Sequence, residues 1–241
     1  MKGVVDMKRL RVFFILLISI LSFSFLNISE EEKIVASSNI KEVIQENEEQ
    51  ERKHYDFSNN IIAYIMIPDT EFDIAVTQTT NNNYYLDHDI YGKKRDKGNP
   101  FLDYRDSINK AHVLRIYGHN SSTIYTEFNF LENYYDKDFF DKHKYIILET
   151  EKKIKKYEIF SLYTEVRDWS YYNAEFDDKD VMKEELAKYK SKSDYDTGVN
   201  VEDDENILIL QTCSYKREYR KYDHKFYLVF AKEVKNVKNL T

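Results

Sequence analysis

From residue 58 onward the chain breaks into short apolar runs of strand length separated by turn signals. This pattern limits the fold more than any other feature, because runs of five to seven residues are too short for core helices. Ile61–Ile67 stops at Pro68-Asp69-Thr70 and a second run follows near Phe72–Thr77. Asn81-Asn82-Asn83 marks a loop, then Pro100–Tyr104 and His112–Tyr117 read as strands. Tyr145–Glu149 with Lys155–Val166 reads as a hairpin, and Ile207–Thr212 and Phe226–Ala231 close the chain. Helical signals are few. Residues 124–142 mix acidic and aromatic positions, and 178–190 carries a cap at Asp177 or Asp178 with Met182, Leu186 and Tyr189 at helical spacing. Twenty-one Tyr and fifteen Phe against five Gly and two Pro suit aromatics packed on pleated surfaces. The expected architecture is mainly β, a barrel or sandwich with peripheral helices, in one domain without internal repeats.

The first thirty residues carry a different signal. Lys8, Arg9 and Arg11 precede Val12–Ile28, an apolar run without charge, Gly or Pro, and Glu30-Glu31-Glu32 follows it. The run is long enough to span a bilayer, and the charge asymmetry places residues 1–11 in the cytoplasm and the body outside. The expectation is a single-pass signal anchor over 12–28 in the cell membrane. A cleaved signal peptide, with Val35-Ala36-Ser37 as cleavage site, is the alternative. Residues 29–57 are polar and mostly acidic, with Ile40, Val43 and Ile44 at helical spacing after Asn39, and read as a helical stalk. The functional domain then covers 58–241.

Export changes how the single cysteine reads. Disulfides are the usual reason for Cys outside the cytoplasm, and Cys213 has no partner in its own chain. It is a buried spectator, half of an intermolecular bridge, or a reactive thiol. Strand alternation puts Ile207, Ile209, Gln211 and Cys213 on one face, with Cys213 at the end, where Ser214-Tyr215-Lys216-Arg217 begins. Basic neighbours at a strand lip favour a thiolate. A thiolate needs a proton partner, for which His is the usual choice. Of the six candidates, His54 lies in the stalk, and His88, His143 and His224 stand in charged segments. His112 begins a strand, whereas His119 follows an apolar strand and Gly118, which frees the backbone to present the ring.

Other chemistries are poorly served. The net charge of −7 argues against nucleic acid, which demands clustered Lys and Arg. No H-E-x-x-H or C-x-x-C is present, so a zinc hydrolase is not expected, and neither G-x-S-x-G nor a Gly-rich phosphate loop occurs.

Tyr117-Gly118-His119-Asn120 and Leu210-Gln211-Thr212-Cys213 resemble the His and Cys motifs of the sortases. Asn83-Tyr84-Tyr85-Leu86 and the segment Gly98–Arg105 are similar to further segments of the class B branch, as is the helix before the Cys-bearing strand. The resemblance covers about 58–236. It implies a closed eight-stranded β-barrel with an N-terminal helix and membrane anchor, and no cofactor. It also implies a cysteine transpeptidase that cleaves a C-terminal sorting motif of secreted proteins, forms a thioester, and passes the protein to an amine of a peptidoglycan precursor or a pilin subunit. Cys213 is then the nucleophile and His119 its proton-transfer partner. The family's third residue, an Arg opening the last strand, has no direct counterpart, because Lys225 precedes Phe226. Arg220 is the expected substitute, with Arg217 and Lys225 as alternatives. A non-catalytic surface-binding barrel and a hydrolytic cysteine peptidase are the rival readings.

Overall fold

The computed structural model describes residues 56–58, 60–173, 178–201 and 206–234. The expected cytoplasmic segment, the 12–28 anchor and the stalk with its helix lie outside the described residues, apart from the stalk's last two. Among the described residues no helix is long and apolar enough to cross a membrane.

Eight strands close into a barrel. In chain order they are β1 (Ile61–Met66), β2 (Asp73–Thr77), β3 (Phe101–Leu102), β4 (Val113–Tyr117), β5 (Tyr145–Glu149), β6 (Ile154–Glu165), β7 (Ile207–Cys213) and β8 (Phe226–Glu233). Around the wall they run β1-β2-β3-β4-β7-β8-β6-β5, and β5 pairs back onto β1. Closure removes the exposed edges that an open sheet would leave unpaired. The expected hairpin is present as β5–β6, whereas the strand expected at Pro100–Tyr104 shrinks to the two residues of β3.

Alternation along the strands builds two hydrophobic layers. Ala63, Ile65, Leu114, Ile116, Leu208, Leu210 and Val229 fill the barrel. The neighbouring positions Val113, Ile207, Ile209, Leu228 and Phe230 face outward, under a helix. That helix, Lys179–Ser191, packs Met182, Leu186 and Tyr189 onto them, and its first turn is capped by Asp178, whose carboxylate accepts from Asp180 N and Val181 N.

The segment expected to be helical over 124–142 is divided. Glu127–Tyr135 is 3-10 helix and Lys137–Lys142 is α-helix, separated by the extended residue Asp136. Asn129 explains the start: its side-chain carbonyl accepts from Thr126 N at 2.8 Å and its amide donates to Ser121 O at 2.9 Å. These local bonds tighten the entry at the expense of a regular helix.

Candidate active site

The site forms where two strands distant in sequence run side by side. β4 and β7 are parallel, paired from Val113↔Ile207 to Tyr117↔Gln211 with no slip. Continuing that register past the strand ends sets His119 abreast of Cys213. Cys213 shares the parity of Ile207 and Ile209 and so belongs to the outward face of the wall, and His119 follows the end of β4 on the neighbouring strand.

Residues flanking the pair lace the two ends together. Gly118 N donates to Gln211 O at 3.1 Å, and Thr212 Oγ1 donates to Gly118 O at 2.8 Å. Asn120, itself buried, donates from Nδ2 to Cys213 O at 2.9 Å and to Glu132 Oε1 at 2.7 Å. Thr126 Oγ1 donates to the carbonyl of His119. Asn120 and Thr212 belong to the motifs noted in the sequence, but only the fold shows what they join. Gly118 has a different reason for being glycine than chain turning. It does not adopt a positive φ; instead a Cβ there would meet the Phe128 ring at 2.7 Å. Close approach of a core aromatic, not conformational freedom, selects it.

His119 is half-buried, and its Nε2 lies 2.8 Å from the carbonyl oxygen of Leu86. The other described histidines stand apart. His112 Nδ1 contacts Asn206 Oδ1, His143 Nδ1 contacts Pro68 O, and His88 stacks on Tyr84. His224 is exposed, and His54 lies outside the described residues.

Cys213 is half-buried and unpaired. Burial pushes its thiol above the ordinary range, and the Lys225 ammonium pulls it back only part of the way. The basic neighbours expected to favour the thiolate, Lys216 and Arg217, do not act on it: Lys216 is paired with Asp194 and Arg217 is exposed, and the cation that does, Lys225, is outweighed by desolvation. Lys225 sits beside the cysteine through β8, because Cys213 pairs with Phe226 and Ser214 N donates to Lys225 O at 3.0 Å. Its Nζ donates to Tyr222 O at 2.9 Å. Arg217 opens a 3-10 turn, Arg217–Tyr219, and Arg220 caps its end; both are exposed. The fold thus sets Lys225 beside Cys213, places His119 two residues past β4 where the β4–β7 register continues toward Cys213, and leaves Arg220 exposed.

A clamp steadies the surroundings. Asp103, fully buried, accepts from Tyr117 OH at 2.9 Å, Arg105 Nη2 at 2.7 Å and Asn82 Nδ2 at 3.0 Å. Arg105 also donates to Tyr172 O at 2.9 Å and lies over the Tyr172 ring. Tyr171, beside it, donates from its hydroxyl to Gln211 Oε1 at 2.9 Å, two residues before the cysteine. Among the described residues no group of His, Cys, Asp and Glu has the arrangement of a metal site.

A model of the sortase domain matches residues 65–234. Sortase B of Listeria monocytogenes is 32% identical over 167 residues, covering 68% of this chain and 67% of that protein. Sortase B of Staphylococcus aureus is 31% identical over 159 residues, covering 65% of this chain and 64% of its own length. The crystal structure of Clostridium perfringens sortase B superposes with a TM-score of 0.65 at 28% identity, covering 73% of this chain and 94% of that one.

Proposed function

This chain belongs to the sortase family of cysteine transpeptidases, and from that premise we propose that Cys213 and His119 carry out acyl transfer on secreted proteins bearing a C-terminal sorting motif. The single observation that supports this most is the β4–β7 register, which sets a half-buried thiol abreast of an imidazole at one lip of the barrel.

In the proposed reaction the Cys213 thiolate attacks the scissile carbonyl. The C–S bond forms, the C–N bond breaks, and protonated His119 gives its proton to the departing amine. In the second half His119 takes a proton from an incoming amine, whose nitrogen forms the new amide as the thiolate leaves. The acceptor amine is proposed to belong to a peptidoglycan precursor or another protein subunit. Because burial raises the Cys213 pKa, the reactive thiolate–imidazolium pair is a minority form near neutral pH.

Two cations are given separate tasks. Lys225 supplies standing positive charge to the thiolate. Arg220, exposed and without a side-chain partner among the described residues, is proposed to hold the carbonyl oxygen once peptide is bound, which suits its planar fork better than an ammonium would. The charge-flanked apolar run over 12–28 is proposed to hold the domain at the outer face of the cell membrane.

The test is a peptide-library screen with the full chain, with and without an amine acceptor. The proposal expects cleavage after a defined motif and an amide product that appears only with the amine. Cleavage with water alone as acceptor identifies a hydrolase, and absence of cleavage across the library identifies a binding module.

A further inference from the structure

His119 is held on one side by a group that can only accept. The Leu86 carbonyl has no proton to give, so the 2.8 Å contact requires a proton on Nε2 in both the neutral and the charged ring. Building on the reading of His119 as the proton carrier, we propose that Leu86 fixes this ring in the Nε2–H tautomer. The proton exchanged with substrate then rides on Nδ1, and Gly98 is a positioning residue that leaves room for the carbonyl.

The carbonyl belongs to a well-supported turn. Tyr84–Leu86 is a single 3-10 turn whose central residue, Tyr85, is buried against Phe101 and Tyr117. Asn99 N donates to Tyr85 O at 2.9 Å. The following loop closes on it through Arg95 N to Asp87 O at 2.9 Å and turns through Gly98 N to Arg95 O at 2.8 Å, while Arg95 is ion-paired with Glu127 at 2.6 Å. Gly98 lies against this turn with a φ of +57°. A Cβ there would stand 2.4 Å from Tyr85 O, 2.7 Å from Leu86 O and 2.9 Å from Leu86 C. These are backbone atoms, so any side chain at 98 must displace the carbonyl that holds His119.

The chemistry follows from the two ring nitrogens being unequal. In the acylation step the imidazolium loses the Nδ1 proton to the leaving amine and keeps Nε2–H on Leu86 O. In the deacylation step Nδ1 accepts the proton of the incoming amine. The ring therefore needs no rotation between half-reactions, and its accepting nitrogen is always the one turned away from Leu86.

The experiment uses the full chain with 15N-labelled histidine and reads the His119 tautomer by long-range proton–nitrogen correlation, without substrate. The expected resting form is Nε2–H. Gly98→Ala is expected to mix the tautomers and lower kcat on the order of 10²-fold with little change in KM. Should that variant not fold, replacing residue 87 by its α-hydroxy acid turns the Leu86 carbonyl into a weaker ester acceptor, with the same direction expected. A resting Nδ1–H tautomer overturns the proposal, as does a folded variant of either kind with unchanged His119 signals or unchanged kcat. The tautomer is read without turnover, so its outcome is independent of whether Cys213 transfers acyl groups.

Discussion

Cys213 sits in a compromise between reactivity and shelter. Burial raises its thiol pKa and Lys225 lowers it by less, so the thiolate population grows as pH rises through an elevated midpoint. Alkylation rate measured against pH is expected to follow that curve. Removing the ammonium with Lys225→Met removes a group that favours the charged form, so the midpoint must move further upward. Arg220→Met, altering a side chain that points to solvent, is expected to leave the midpoint in place while lowering kcat/KM for peptide. Cys213 and His119, the proposed nucleophile and proton carrier, could be singled out in the sequence because both belong to motifs with strong residue signatures. The Leu86 carbonyl was not, since a backbone oxygen has no residue-type signature, and the net upward shift of the thiol needs burial that a linear pattern does not contain.

At the scale of elements, the outward face of β7 is half buried core and half partly exposed. Ile207 and Ile209 lie under the Lys179–Ser191 helix, while Gln211 and Cys213, on the same face, extend beyond it. Leu186 is buried at the centre of that contact, at 1% exposure, and Leu186→Ala is expected to cost about 2–5 kcal/mol in chemical denaturation. The helix and its Asp178 cap could be read from periodicity and capping chemistry, which are local. The division at Asp136 could not be read from apolar spacing, because it is made by the extended Asp136, whose carboxylate accepts from Asp138 N at 2.9 Å and starts a new helix.

Across the whole molecule, segments far apart in sequence are fastened at one lip of the barrel. The β4–β7 pairing joins residues separated by about half the length of the domain, and no local pattern announces a parallel pair at such separation. Asp103 does the same for the loop at Asn82, the end of β4 at Tyr117, and, through Arg105, the segment at Tyr172. Burial opposes its charge, but the Arg105 guanidinium and N–H, the Tyr117 hydroxyl and Asn82 prevail and hold its pKa at about 2. A depressed carboxylate pKa stabilises the fold above the ordinary value of 3.8, and that contribution is lost as pH falls toward about 2. Unfolding free energy is therefore expected to drop across this window, and less so in Asp103→Ala, which itself is expected to cost about 1–3 kcal/mol near neutral pH by leaving the buried Tyr117 hydroxyl without its acceptor.

The central claim is that acyl transfer passes through Cys213, and intact-protein mass spectrometry tests it most directly. The full chain mixed with an intact sorting peptide that it can cleave, then quenched in acid, should carry the mass of the peptide's N-terminal fragment. The adduct should map to Cys213, be released by hydroxylamine, and be absent in Cys213→Ala, whose circular dichroism should match the parent. Peptide cleavage that persists in Cys213→Ala would contradict the account.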